Sequence, residues 1–189
     1  VTMIQGNSIR KVLWYLFPIL TLGFVSCDTT TFTIPKGWHR STNKVKLITA
    51  DELVFKAMFD DSAIYTTVDP TNQGDINKLY GFSDCTSQHQ KNSARFGWRW
   101  LKNQLEILTY TYVDGVRYSK SFGAVPLNET LDYAIRIQGD KYVFTLGTQS
   151  ITMDRGCSDT GLIKYMLWPY FGGDETAPHE ITIWLEEQD

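Results

Sequence analysis

Apolar and polar residues alternate along much of the chain after residue 45, which is the pattern of half-buried β-strands. The segments LDYAIRI (131–137), KYVFTL (141–146) and HEITIWL (179–185) repeatedly place apolar side chains at every second position. No segment after residue 45 keeps the 3.6-residue apolar period of an amphipathic helix over three turns. The pattern therefore predicts an all-β domain with polar residues on one face of many strands.

Turn signals separate these strands at short intervals. Asp114-Gly115 and Gly139-Asp140 lie between alternating segments and predict two β-hairpins. About ten or eleven short strands with almost no helix predict a two-sheet antiparallel β-sandwich, because an open sheet of that size would curl or split. We expect one such domain over residues 45–189. The further predicted strands are 53–59, 63–68, 79–82, 94–100, 148–153 and 163–170.

The strand succession also resembles a known fold. The aromatic-rich ARFGWRW (94–100) and the closing YFGGDETAPHEITIWL (170–185) are similar to segments of small secreted proteins with the concanavalin A-like jelly roll. Many lectins, glycan hydrolases and polysaccharide lyases share that fold. The resemblance implies a carbohydrate-related role as an expectation, but function has to be argued from a site.

The beginning of the chain predicts export and lipid anchoring. Arg10 and Lys11 precede an apolar run, 12–26, which is too short for a comfortable membrane-spanning helix. It ends in FVSC at Cys27 and resembles the lipobox of Bacteroidota-type lipoproteins, although Phe24 stands where Leu is commoner. This predicts a signal peptide at 1–26, a diacylated Cys27 and a Thr/Ser-rich tether over 27–44. The expected location is the bacterial cell envelope, anchored to the outer membrane on its periplasmic side or at the cell surface. The alternative is an ordinary signal peptide with an unmodified thiol.

Two cysteines remain once the predicted anchor is set aside. Cys85 and Cys157 both lie in polar segments, and an even pair in an oxidising compartment predicts one disulfide. Such a bond would close a loop of about 70 residues and stabilise the fold by about 4 kcal/mol in the chain-entropy model. Two buried free thiols are the alternative.

Net charge excludes one class of partner. The chain carries 18 basic and 21 acidic residues, a formal charge of −3. It therefore lacks the general basic field that holds DNA or RNA through counterion release. We expect no nucleic-acid partner.

The candidate binding residues lie on two consecutive strands. Alternation in ARFGWRW turns the aromatic side chains toward the core and places Arg95 and Arg99 on the opposite face, on either side of Gly97. If the following strand QLEILTYTYV pairs with it, its tyrosines line the same open trough. Arginine forks bind carboxylates and aromatic faces stack on sugars, so the set suits an acidic glycan. The predicted ligand-binding residues are Arg95, Arg99, Glu106, Tyr110 and Tyr112.

A second interpretation assigns the arginines a structural role. Arg95 and Arg99 would then form cross-strand ion pairs with Glu106 and Asp84, a common use of charge on a solvated sheet face. The two interpretations differ in whether the guanidinium groups are already matched to carboxylates.

Catalysis is an alternative function. A polysaccharide lyase needs a group that neutralises the uronate carboxylate together with a base and an acid, and His89, Tyr110 and Tyr112 are the catalytic candidates. The chain departs from the alginate lyase pattern, since Gln88 adjoins His89 where that family has glutamine-x-histidine. It also lacks the glutamate spacings typical of retaining glycoside hydrolases. Binding without turnover is therefore the leading prediction, and a structural envelope lipoprotein that docks a protein partner along an edge strand is a third possibility.

No cofactor is expected from the sequence. Its histidines and cysteines show no zinc-ligand spacing. Calcium stays open because GGDETAPHE (172–180) and FDDSA (59–63) carry oxygen ligands on predicted loops, although neither matches an EF-hand and solvated loop acids are the simpler interpretation. His39 and His179 are expected to have no site role.

Overall fold

Two antiparallel sheets form the molecule. The computed structural model describes Thr2, residues 29–42 and residues 44–188, and those parts contain thirteen strands, two short 3-10 helices and no α-helix. None of the described segments is a helix long and apolar enough to cross a membrane. The strands are β1 (Thr30–Ile34), β2 (Leu47–Ile48), β3 (Glu52–Phe59), β4 (Asn77–Ser83), β5 (Ser93–Leu101), β6 (Gln104–Val113), β7 (Val116–Tyr118), β8 (Ser121–Val125), β9 (Leu131–Gln138), β10 (Lys141–Leu146), β11 (Gln149–Asp154), β12 (Lys164–Leu167) and β13 (Ile181–Gln188).

The first sheet has six strands in the order β1-β13-β3-β9-β10-β11. The second has the order β2-β12-β4-β5-β6-β7, and β8 pairs with the other end of β6. Both predicted hairpins are confirmed: Asp114 and Gly115 join β6 to β7 with positive φ at both positions, and Gly139 and Asp140 join β9 to β10. The predicted two-sheet sandwich is therefore the fold.

Aromatic side chains fill the space between the sheets. Between ring centroids, Phe55 lies 5.0 Å from Tyr133 of the same sheet and 5.9 Å from Phe96 of the second sheet. Trp98 packs 5.1 Å from Phe59 in the same way, and its side chain is fully buried. Burying a side chain of this size contributes about 2 to 3 kcal/mol. The predicted inward face of β5 is thus confirmed.

Two predicted boundaries are wrong. Residues 30–34, assigned to the tether, form β1 and pair with β13, because Phe32 and Ile34 are apolar enough to be buried in the core. The sandwich therefore begins before Val45. Residues 63–68 form no strand: the 3-10 helix Asp61–Ala63 ends there, and the chain continues irregularly to a second one at Pro70–Gly74.

A buried clamp joins the two sheets at one end. Asp84, directly after β4, accepts hydrogen bonds from Arg155 Nε at 2.6 Å and from the Tyr142 hydroxyl at 2.8 Å. Both side chains of the Asp84–Arg155 ion pair are 0% exposed. The neighbouring Cys85–Cys157 disulfide is formed, with the Cα atoms 5.9 Å apart, so that prediction is confirmed and the alternative of free thiols is excluded.

Candidate functional site

A pocket lies on the outer face of the second sheet, over β4, β5 and β6. Arg95 on β5 is the cross-strand partner of Tyr110 on β6 and of Gly81 on β4. Because side chains alternate along a strand, Arg95 projects away from the core that its neighbours Ala94 and Phe96 enter. The pocket holds about 280 Å³ and is lined by Lys78, His89, Gln90, Arg95, Tyr110, Tyr112, Tyr170 and Gly173.

Gly81 on β4 leaves room for the side chain of Arg95. A Cβ atom at this position would lie 2.1 Å from the carbonyl oxygen of Ala94 and 2.8 Å from Cγ of Arg95. Real Cβ atoms do not tolerate such distances, so any other residue would displace the strand or the arginine. The pairing of β4 with β5 also shifts register between Lys78 and Gly81, which brings Lys78 to the pocket.

Arg95 is the most unusual group in the pocket. The residue is only 7% exposed, and its Nε has no hydrogen-bond partner among the described residues. The ion pairs found in the described parts of the chain do not include it. Its guanidinium carbon lies 5.1 Å from the centroid of the Tyr110 ring, and burial lowers its pKa. A cation is therefore held here without a matching carboxylate.

Lys78 adds a second cation. Its Nζ lies 4.9 Å from the ring centroid of Tyr110 and 5.8 Å from that of Tyr170, as in cation–π contacts. Burial, together with repulsion by Arg95 and Arg117, lowers the pKa of Lys78 to about 8, whereas Asp75 acts in the opposite direction.

The backbone fixes the position of this lysine. Lys78 and Tyr170 form two backbone hydrogen bonds, of 2.8 and 2.9 Å, which hold the lysine beside the tyrosine at the rim. A Cβ atom at Gly172 would lie 2.0 Å from Lys78 Nζ, so a glycine leaves the space that the ammonium group occupies.

His89 enters the pocket on the loop between β4 and β5. Its backbone N–H donates to the Tyr165 hydroxyl at 2.8 Å, and its Nδ1 lies 3.0 Å from the same oxygen. Burial, and after it the charge of Arg95, lowers the pKa of His89, so the imidazole is neutral at pH 7 and above. The clamp at Asp84 and Cys85 holds the start of this loop.

Two tyrosines form another wall. The rings of Tyr110 and Tyr112 meet edge to face with centroids 5.8 Å apart. Burial, and after it the hydrogen bond with Tyr112, raises the pKa of Tyr110, while Arg95 and a hydrogen bond from Arg117 oppose that change. The Tyr110 hydroxyl therefore stays protonated throughout the neutral range.

The structure brings part of the predicted site together, and the role of these residues in binding stays a prediction. Arg95, His89, Tyr110 and Tyr112 come together, as residues on paired strands and the adjoining loop should. The predicted open trough across Gly97 is wrong, because the side chain of Ile76 covers that position: Cγ2 would lie 2.5 Å from a Cβ there.

Arg99 and Glu106 do not line this pocket. Arg99 Nε donates to Glu106 at 2.6 Å and Nη1 donates to the Gly74 carbonyl at 2.7 Å, while Ser121 donates to the same carboxylate. The structural interpretation of Arg99 is thus correct. It is wrong for Asp84, which pairs with Arg155 rather than with either arginine of β5.

Several pocket residues were missed by the sequence reasoning. Lys78 is the one charged residue in the strand NKLYGFS, and such a lone cation in a largely buried strand was an available signal. The sequence did not predict a site role for Gln90, for Tyr170 or for Tyr165, which is outside the pocket lining but contacts His89 through its hydroxyl. Tyr165 and Tyr170 come from a distant part of the chain, and no local pattern links them to β5.

The described residues offer little for a metal ion. Within those ranges, the one group of three potential ligands is Asp84, Cys85 and Cys157, in which the thiols form the disulfide and the carboxylate binds Arg155. One acid in each of the two loops considered for calcium already accepts hydrogen bonds: Asp60 accepts from Ser62, and Glu175 accepts from the N–H groups of Val68 and Asp69. Whether calcium binds at either loop is untested.

The other two histidines do not line the pocket. His39 Nδ1 donates to the Phe171 carbonyl and its ring stacks on Tyr170, and His179 Nε2 donates to the Ser62 carbonyl. Cys27 and all of the predicted signal peptide except Thr2 fall outside the described residues.

Comparison with known proteins supports the fold. No family model matches the chain, and no curated protein sequence matches it either. Among solved structures, the alginate lyase AlyC3 superimposes with a TM-score of 0.57 at 9% identity, over 85% of this chain and 74% of that one. The catalytic domain of an endo-1,3-β-glucanase (laminarinase) from Thermotoga petrophila gives 0.54 at 9% identity, over 83% and 74%.

The alginate lyase from Klebsiella pneumoniae gives a TM-score of 0.53 at 13% identity, over 71% of this chain. The match spans 56% of that enzyme's length. At these identities the similarity shows the fold alone: the chain is a two-sheet jelly roll of the kind found in these carbohydrate-active enzymes, consistent with the concanavalin A-like resemblance.

Proposed function

We propose that this protein binds an acidic carbohydrate in the pocket around Lys78 and Arg95. The observation that carries the proposal is the buried Arg95 guanidinium, whose Nε has no partner in the described structure, next to a second cation. Holding a buried cation without a matched anion is costly. A ligand carboxylate would supply the missing acceptor and would repay that cost on binding.

The aromatic walls favour a sugar over a small inorganic anion. Tyr110, Tyr112 and Tyr170 surround the cations, and their ring faces and edges suit the apolar C–H surface of a pyranose. At about 280 Å³, the pocket lies near the lower end of the range for small-molecule sites, which suits one charged sugar unit of a longer chain. A structure of AlyC3 with dimannuronate, an acidic disaccharide, has the same fold with a TM-score of 0.55.

Titration calorimetry with dimannuronate tests the proposal. We expect binding to the unmodified protein, and a loss of about thirtyfold or more in affinity for Arg95→Met, because a buried charge partner is removed. Arg99→Met is the matched control, since it removes an arginine of the same strand that lies outside the pocket. Equal loss in both variants, or no binding of dimannuronate and other uronate oligosaccharides, would contradict the proposal.

Turnover by β-elimination is the second candidate. The pocket combines cations that can neutralise a carboxylate with the hydroxyl groups of three tyrosines and a neutral imidazole, which are the group types this reaction uses. Incubation with a panel of polyuronates should then produce the ultraviolet absorbance of an unsaturated product. Binding without any absorbance change would leave the lectin-type function.

We also propose that Cys27 carries the lipid anchor of a cell-envelope lipoprotein. The basic pair, the apolar run and the cysteine in FVSC support this assignment. Metabolic labelling with a clickable palmitate analogue should mark the unmodified protein and not Cys27→Ser, while Cys85→Ser serves as the control. Equal labelling of Cys27→Ser would contradict the anchor.

A further inference from the structure

One hydroxyl group contacts His89 twice. The Tyr165 oxygen receives the backbone N–H of His89 at 2.8 Å and lies 3.0 Å from Nδ1 of the same residue. The two rings stand almost perpendicular, at 85°, with centroids 6.2 Å apart. Tyr165 therefore touches both the backbone and the ring of the histidine.

The number of protons on Tyr165 and His89 decides which group donates and which accepts in this contact. A phenol has one proton to donate, and the backbone N–H already points at its oxygen. If the hydroxyl proton goes to Nδ1, every group in the contact is satisfied, and a neutral imidazole then carries its own proton on Nε2. In the opposite tautomer the hydroxyl oxygen would accept both hydrogen bonds and its own proton would be left to solvent, because the described residues give the Tyr165 hydroxyl no hydrogen bond except those to His89.

The ring is neutral in this position. Burial and the positive charge of Arg95 both disfavour an imidazolium, and no ion pair with a carboxylate is found for His89 in the described residues. The ring lines the pocket, and Nδ1 is engaged by Tyr165, so Nε2 is the nitrogen left for a ligand.

We propose that Tyr165 is a positioning residue that fixes His89 as the Nε2–H tautomer, so that the pocket presents a neutral N–H donor to the bound anion beside its two cations. The use of that donor by a ligand rests on the proposed function, but the tautomer does not. An imidazole held in this form cannot accept a proton at Nε2. In the β-elimination alternative, His89 would therefore bind the carboxylate, and the base would have to be another group.

Other contacts hold the loop without Tyr165. Ser93 Oγ donates to the His89 carbonyl at 2.7 Å, and the N–H groups of Lys91 and Asn92 donate to the Gln88 carbonyl. Tyr165→Phe therefore removes the hydroxyl while these bonds keep the loop in position. Tyr170→Phe is the matched control, because it removes a hydroxyl from the pocket rim that makes no contact with His89 among the hydrogen bonds found.

Long-range ¹H–¹⁵N spectra of the histidine rings in the ligand-free protein provide the test. The chain has three histidines, so His89→Gln identifies the signals. At pH 7.5 we expect a pyrrole-like Nε2 and a pyridine-like Nδ1 for His89. In Tyr165→Phe the two tautomers of His89 should mix, while the spectra of the other two histidines stay unchanged. In Tyr170→Phe the tautomer of His89 should stay as it is in the unmodified protein. A pyrrole-like Nδ1, a doubly protonated ring, or an unchanged tautomer in Tyr165→Phe would each overturn the proposal.

Two further measurements separate the tautomer from ligand binding. If Tyr165→Phe does not fold, a through-bond correlation between the Tyr165 hydroxyl proton and Nδ1 in the unmodified protein decides the assignment: its presence supports the proposal, and a correlation from an Nδ1 proton overturns it. If the tautomer is as expected, Tyr165→Phe should weaken dimannuronate binding about twofold, since about half of the molecules would present the donor. A correct tautomer without any dimannuronate binding would contradict the proposed function alone.

Discussion

The charge of Lys78 should make ligand binding depend on pH between 7 and 9. Its pKa of about 8 in the free protein means that about 90% of the molecules carry the ammonium at pH 7 and about 9% at pH 9. If only the protonated form binds an anion well, the apparent affinity falls in proportion to that fraction. We therefore expect dimannuronate to bind about tenfold more weakly at pH 9 than at pH 7.

Binding weakens rather than strengthens with rising pH because of the direction in which the pKa of Lys78 is shifted. Burial and the two arginines lower the pKa in the free protein, and a bound carboxylate would raise it again, so binding takes up protons near pH 8. The other pocket groups do not produce this change, because the lowered pKa of His89 and the raised pKa of Tyr110 keep both neutral over the interval.

Calorimetry in two buffers of different ionisation enthalpy measures both quantities. The affinity should decline above pH 8, and the heat should report proton uptake on binding. Lys78→Arg is the control, since it keeps a cation that does not titrate and should give a flat profile. The same affinity at pH 7 and pH 9 in the unmodified protein, or no proton uptake at pH 8, would refute the role of Lys78.

Three further predictions concern stability and are measured by urea denaturation. Arg95→Met should leave the free energy of unfolding unchanged or raise it, because a buried unmatched cation is replaced by an apolar chain; a clear decrease would contradict this. Asp84→Asn should lower it by about 3 to 5 kcal/mol, since Arg155 would remain buried without its carboxylate; a loss under about 1 kcal/mol would refute the clamp. Replacing both Cys85 and Cys157 by serine should cost about 4 kcal/mol, and an unchanged midpoint would count against the disulfide's contribution.

Local alternation was enough to predict one side of the pocket. Phe96 and Trp98 had to face the core, so Arg95 had to face outward, and the short connection between β5 and β6 brought Tyr110 beside it. The same reasoning could not show that Arg99 is already paired, because Gly74, one of its acceptors, lies on a 3-10 helix outside the strand pattern.

Other features of the site cannot be predicted from the alternation of apolar and polar positions along a single strand. The register shift between β4 and β5 carries Lys78 into the pocket, and a period-two pattern cannot locate such an irregularity. Tyr165 and Tyr170 arrive from β12 and the segment after it, more than 50 residues beyond Tyr110 in the sequence. The early strand β1 was hidden because its threonines are as typical of a polar linker as of an edge strand.

The bond between Asp84 and Arg155 spans 71 positions of the chain and joins the wall of the pocket to the opposite sheet. We expect such a distant contact to form in the later steps of folding, because the intervening chain must first close a long loop. A nascent or partly folded copy would thus present the arginine and tyrosines of one hairpin without the histidine loop secured against them. If the pocket binds an acidic sugar as proposed, only fully folded molecules would bind it, and partly folded copies would not compete for it.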